Sequence, residues 1–240
     1  MNDAVAANPS IRAVVFDLDD TLFDCLNQCV GPAHREAARA MAEAGARATI
    51  DELLEARLAL AGVARDVDDA VAAAFRSVNP VKVADAGRQA FFERDPGPLT
   101  PFSFAAEVLL RVRSVAKVVL LTTGHTATQR KKLTSLGFDA AFDDVLIDDL
   151  PLDQAVGRSA KEALLEDWCA RAGIAPATVL VVGDRPDNEI AAAVRLGMQA
   201  LRIRGGEFAS RPTPVGVAEA PDVRAVLSFF PAPAPSDPAA

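Results

Sequence analysis

The stretch Ala13-Val14-Val15-Phe16-Asp17-Leu18-Asp19-Asp20-Thr21-Leu22 joins an apolar run directly to three carboxylates and a hydroxyl. An unbroken apolar run of this length suits a strand buried on both faces, the habit of parallel sheets. Open parallel sheets bind their ligands outside the carboxyl ends of the strands, which is where these acids fall. Four further runs have the same character: Val118–Leu121, Val145–Ile147, Val179–Val182 and the weaker Ala200–Ile203. Helical patterns over 102–113, 126–136, 159–172 and 186–196 separate most of them. Strand and helix in alternation predict an α/β fold, a Rossmann-like doubly wound parallel sheet.

Local signals support these boundaries. Ser159 and Glu162 have capping-box spacing, Pro101 and Pro186 suit first helical turns, and Gly137 and Gly197 suit helix stops. From Asp24 to Leu99 there is no strand pattern, only Ala- and Leu-rich helices, one with a Thr49/Glu52 capping box. Such a block after the first strand reads as an inserted all-helical cap domain. The expected organisation is a catalytic core of residues 11–23 and 100–230, a cap of residues 24–99, and flexible ends at 1–10 and 231–240.

Composition excludes several classes. The 240 residues hold 25 Lys and Arg against 33 Asp and Glu, a formal charge of −8. A nucleic-acid polymer is therefore not an expected partner. Half the residues are hydrophobic, too many for a disordered chain. Cys25, Cys29 and Cys169 form no CxxC pair and lack zinc-ligand company, so reduced thiols are expected. The first residues do not read as a signal peptide, and no apolar run approaches the roughly 20 residues of a membrane span. A cytoplasmic location is expected, without a membrane partner, as monomer or homodimer.

The strand ends carry the chemistry. The first bears Asp17, Asp19 and Thr21, the second Thr122-Thr123-Gly124-His125, and the fourth Gly183-Asp184 with Glu189. Brought together, Asp17, Asp19 and Asp184 would repel one another unless a cation lay between them. A hard divalent ion with oxygen ligands, Mg²⁺, fits that demand and typically adds a substrate phosphate to its few carboxylates.

Val14-Val15-Phe16-Asp17-Leu18-Asp19-Asp20-Thr21-Leu22 resembles the first motif of the haloacid dehalogenase superfamily, an apolar strand followed by DxDxT. Leu120-Leu121-Thr122-Thr123-Gly124 is similar to its second motif, and Val181-Val182-Gly183-Asp184 with Glu189 to its fourth. The third motif is a lone Lys; Lys161, 23 residues before Asp184, has the family's spacing, although Glu162 follows where many relatives have Pro. Many relatives also carry Asn where Thr123 stands. The resemblance implies a phosphoric monoester hydrolase. Asp17 would be the nucleophile, forming an aspartyl-phosphate, and Asp19 the general acid and base. Thr21, Thr122, Thr123, Gly124 and Lys161 would hold the phosphoryl group, with Thr122 and Lys161 balancing its developing charge. Mg²⁺ would sit on Asp17, the Asp19 carbonyl, Asp184 and Glu189, the last directly or through water.

Asp19 separates the phosphoryl-transferring members from dehalogenases, which lack it because a halide needs no proton. The expected function is hydrolysis of a small phosphorylated metabolite, such as a sugar phosphate, a nucleotide monophosphate or phosphoglycolate. The alternatives are a phosphotransferase or phosphomutase of the same superfamily and a catalytically idle binding protein. Simpler roles fall to the remaining polar residues. Asp187 reads as a first-turn helix carboxylate, His125 as a loop or helix-start residue, and Asp148-Asp149 as a turn. Arg130-Lys131-Lys132 reads as a solvated helix face. His34 has no part in the mechanism, and the cap residues Asp24, Arg35, Arg39 and Arg88 receive no role.

Overall fold

The computed structural model describes residues 10–61, 66–77, 79–149 and 160–230. Ser159, and with it the Ser159/Glu162 capping box, lies outside the described residues, as do 1–9 and the Pro-rich 231–240. Six strands form one sheet: β1 (Ala13–Phe16), β2 (Lys117–Thr123), β3 (Asp144–Asp148), β4 (Val179–Gly183), β5 (Gln199–Ile203) and β6 (Ala218–Ala220). Their order is β3-β2-β1-β4-β5-β6, and every pairing is parallel. The sequence Ala218-Glu219-Ala220 has no apolar run, which is why β6 escapes a pattern search.

Alternate residues of the strands face opposite layers. Val14, Phe16, Val118, Leu120, Leu180 and Val182 pack with α5 (Ala105–Arg113) and α6 (Thr126–Leu136). Val15, Val119, Leu121 and Val181 pack with α7 (Lys161–Ala172) and α8 (Glu189–Arg195). Helices on both faces make the sheet doubly wound, and both faces being buried explains why the strand sequences do not alternate with polar residues. Strand β1 lies between β2 and β4, so strand order reverses there and opens a crevice at the strands' carboxyl ends.

Two helix starts differ from expectation. Helix α5 begins at Ala105, because Phe102 N donates to Leu22 O at 3.0 Å and Pro101 bridges Phe23, holding the chain extended. Helix α8 begins at Glu189, because Arg185 N bonds the Glu189 side chain at 2.7 Å and closes a turn containing Pro186. Neither proline therefore occupies a first helical turn. Gly137 and Gly197 follow α6 and α8 in the left-handed conformation, as a helix stop requires.

After β1 the chain enters a turn of π-helix (Leu26–Val30) and then α1 (Gly31–Glu43), α2 (Ile50–Leu60), α3 (Val67–Ala74) and α4 (Pro80–Phe92). These helices share their own core of Ala38, Met41, Leu53, Val71, Val83 and Ala84. The Thr49/Glu52 capping box opens α2 with both reciprocal bonds made. Inside this layer the buried Arg57 pairs with Asp68, and its guanidinium lies 5.6 Å from the Phe91 ring centroid.

Candidate active site

Asp17 follows the last residue of the central strand, its backbone N bonded to Val182 O at 2.8 Å. Its side chain is buried and receives Lys161 Nζ on Oδ1 at 2.7 Å. The same ammonium reaches Glu189 Oε2 at 2.8 Å, while Glu189 Oε1 accepts Arg185 N. Lys161 thus enters from the first turn of α7 and joins the end of β1 to the start of α8. Burial pushes Asp17 up to about 7 despite the opposing pull of Lys161. Asp184, also buried, is pushed to about 9, first by burial and then by the carboxylates of Asp17, Glu189 and Asp20. Lys161 stays cationic: burial would lower it, but Asp17 and Glu189 outweigh that and raise it.

The loop after β1 turns through Asp20, which has φ of +54°, a left-handed value that Asp tolerates better than most residues. Asp20 Oδ1 accepts Leu26 N at 2.9 Å and Oδ2 accepts Glu207 N at 3.3 Å, so the loop is tied to the cap entrance and to the segment after β5. Behind it the fully buried Arg202 donates to the carbonyls of Asp184, Phe208 and Arg211. Asp19 faces outward into a cavity of about 370 Å³ bordered by Cys25, Phe91, Phe92, Arg94 and His125. Thr21 and Thr122 are buried beside this loop and at the end of β2. Thr123 Oγ1 donates to Asp148 Oδ2, which also accepts Ala160 N, tying β2 to the start of α7. Gly124 N bonds Asp148 O at 3.0 Å.

A charge count tests the site for a metal. Asp17, Asp20, Asp184 and Glu189 are buried together at the strand ends, and the lysine among them is Lys161. Burial is the first cause of the raised Asp17 and Asp184, with neighbouring carboxylates adding to it, so holding these groups ionised calls for a further cation. Thr21 Oγ1 and Asn188 Oδ1, in the two acidic loops, are buried without a hydrogen-bond partner among the described residues. No three His, Cys, Asp or Glu side chains among the described residues gather closely enough to hold an ion alone. The donor set therefore fits an ion that accepts two carboxylates and completes its shell with carbonyl and water oxygens, as Mg²⁺ does.

Several assignments change. Lys132 is not on a solvated face: it is buried and bonds both oxygens of Asp19. A signal for this exists in the sequence, since Gln129, Lys132, Leu133 and Leu136 share one helix face (i, i+3, i+4, i+7) and all are buried. Asp187 lies in the turn before α8 and pairs with Arg211 at 2.6 Å, so it is not a first-turn carboxylate. Asp148 and Asp149 keep a structural role, tethering the starts of α7 and α6. His125 is the N-cap residue of α6. The parts played by Asp20 and Arg202 carry no local signal, because Asp20 holds Glu207 N and Arg202 holds Asp184 O across the fold. All three cysteines are free thiols, and among the described residues no helix is long and apolar enough to cross a membrane.

A doubly wound sheet with acids at the ends of its first and fourth strands, an inserted helical cap and a buried Lys defines a class of hydrolase. The match of residues 11–197 to the haloacid dehalogenase-like hydrolase model makes membership plain: the chain belongs to that family. It is 28% identical over 204 residues to a glyceraldehyde 3-phosphate phosphatase of Methanocaldococcus jannaschii, covering 82% of this chain and 87% of that one. To the glyceraldehyde 3-phosphate phosphatase of Methanopyrus kandleri it is 29% identical over 206 residues, 82% of this chain and 86% of the relative. Among solved structures, the HAD-hydrolase YfnB of Bacillus subtilis, bound to magnesium, superposes with a TM-score of 0.65 at 16% identity. That superposition covers 92% of this chain and 98% of YfnB and establishes the shared fold. The phosphoric monoester hydrolase expected from the sequence agrees with relatives that are themselves phosphatases.

Proposed function

We propose that this chain is a Mg²⁺-dependent phosphatase that hydrolyses a small phosphorylated metabolite through an aspartyl-phosphate on Asp17. The observation that carries the reading is the pairing at the end of the central strand: Asp17 Oδ1 is fixed by Lys161 at 2.7 Å, with Asp19 two residues on at the cavity wall. With one oxygen held, the other Asp17 oxygen attacks phosphorus, and the ester oxygen leaves with a proton from Asp19. Water then attacks the phosphorus of the acyl phosphate, Asp19 takes its proton, and Asp17 and inorganic phosphate are released. Lys161, Thr122 and Thr21 bind the phosphoryl oxygens, and helix α7 adds the positive end of its dipole. Thr123 Oγ1 and Gly124 N, expected there as well, are instead bonded to Asp148. Asp17, the Asp19 carbonyl and Asp184 would hold Mg²⁺; Glu189, expected at the ion directly or through water, instead anchors Lys161, with its other oxygen bonded to Arg185 N. When bound, the ion offsets the mutual repulsion of the carboxylates and the charge of the incoming phosphate.

Residues 24–99 form the cap in this reading, and the cavity between cap and core takes the leaving group. The relatives make glyceraldehyde 3-phosphate the first substrate to test. The free thiols suit a reducing compartment, the cytoplasm. Phosphate release from a metabolite panel that includes this triose phosphate, with and without Mg²⁺, is the test. Asp17→Asn is expected to lose activity by about 10³-fold or more. Equal release by wild type and Asp17→Asn would sink the nucleophile assignment. Transfer of the phosphoryl group to a sugar would favour a mutase, and metal binding without turnover on any substrate an idle binding protein.

A further inference from the structure

Asp19 carries the proton in the reading above, yet its side chain is 32% exposed at the cavity wall and has few constraints. Its carboxylate has one hydrogen-bond partner among the described residues. Lys132 Nζ lies 2.8 Å from Oδ1 and 2.7 Å from Oδ2, contacting both oxygens at once. The lysine itself is held from other sides: it is 9% exposed, its ammonium lies 3.7 Å from Cys25 Sγ, and the Phe23 ring centroid is 5.8 Å away. Burying a lysine stem and ammonium is costly without a partner for the charge. Here the partner is Asp19, and the packing that fixes Lys132 is thereby passed to the aspartate.

A contact to both oxygens fixes the rotation of the carboxylate as well as its distance. An ionised carboxylate has about four lone-pair positions, so the lysine leaves others open toward the cavity. Proton transfer requires the aspartate within hydrogen-bond reach of the ester oxygen, and it slows sharply when that reach is lost. Lys132 reaches the site from α6, on the leaving-group side, whereas Lys161 holds Asp17 from α7.

We propose that Lys132 is a positioning residue that holds the Asp19 carboxylate in the orientation from which it serves the ester oxygen and the attacking water. This rests on the acid–base reading of Asp19. Removing Lys132 then slows turnover without weakening capture of the phosphoryl group, and the loss runs entirely through Asp19.

The test is a double-mutant cycle in the presence of Mg²⁺ with a substrate that the wild type hydrolyses. Lys132→Met is expected to lower kcat by about 30-fold to 100-fold with KM changed by less than about 3-fold. Asp19→Asn should lose at least as much. The double variant Asp19→Asn/Lys132→Met should stay within about 3-fold of Asp19→Asn alone, since a residue acting through Asp19 has nothing left to hold. Lys132→Arg, which keeps a cation, should recover most of the loss. Thermal unfolding and inhibition by inorganic phosphate report the integrity of each variant, and Lys132→Gln replaces the Met variant if that one does not fold. Wild-type kcat in Lys132→Met, a raised KM at unchanged kcat, or losses that multiply in the double variant would each overturn the proposal. If Asp19→Asn turns over like wild type, the acid–base reading falls and the proposal with it. If Asp19→Asn is impaired while Lys132→Met is not, only the role of Lys132 falls.

Discussion

Lys161 balances the buried charge on which this site depends. It is 2% exposed and pairs at once with Asp17 and Glu189, themselves buried. Removing one partner from such a cluster leaves the others uncompensated, at a cost of about 3–5 kcal/mol. Lys161→Met is accordingly expected to lower unfolding stability by that order and to abolish phosphate release; urea unfolding beside an activity assay checks both. Stability within error of wild type would show that the carboxylates had neutralised themselves by taking up protons. Lys161 was legible through the family resemblance, whose third motif places a Lys at this distance before Asp184. Lys132 was harder to see, since three basic residues in a row look alike until the rotation of α6 about its axis turns one of them inward.

Among the elements, the turn after β1 depends on a partner far along the chain. Asp20 adopts its left-handed backbone while both its carboxylate oxygens are bound, one by a residue 187 positions away. Gly206 makes that approach possible. A Cβ there would lie 2.1 Å from Asp20 Cγ, and its φ of +61° disfavours any other residue. Gly206→Ala should therefore cost about 1–3 kcal/mol through overpacking and backbone strain, and reduce turnover by displacing the loop that carries Asp19. Denaturant unfolding and kcat measure the two effects, and no change in either would remove the clamp. Strands β1 to β5 were legible because burial leaves them apolar runs, whereas the exposed Ala218-Glu219-Ala220 of β6 was not. The starts of α5 and α8 were not, because bonds to Leu22 O and to the Glu189 side chain override the preference of proline for a first turn.

For the whole molecule, a buried histidine in the helical layer links stability to pH. His34 in α1 is buried, its ring 4.9 Å from that of Phe91, and Phe91 also borders the cavity. Burial, and then the Arg57 charge, hold His34 down at about 4, below its ordinary 6.5. The unfolded chain therefore binds the proton more readily between those values. Stability that is full above pH 6.5 is lost as pH falls toward 4. His34→Phe lacks this term, so the melting temperature of wild type relative to the variant should decline between pH 6.5 and 4. A constant difference across that range would show that His34 does not link pH to cap stability.

The sequence by itself determined the first five strands of the sheet, the helical insertion and the carboxylates at the strand ends. Apolar runs, capping spacings and residues that follow a strand are local properties, decided within a few positions of one another. Tertiary structure alone decided which charges meet. Lys161 finds Asp17 across 144 positions and Lys132 finds Asp19 across 113, pairings set by how α7 and α6 are rotated and packed against the sheet. The same packing buries Asp17 and Asp184 together, and that burial is what pushes both carboxyls above their ordinary range.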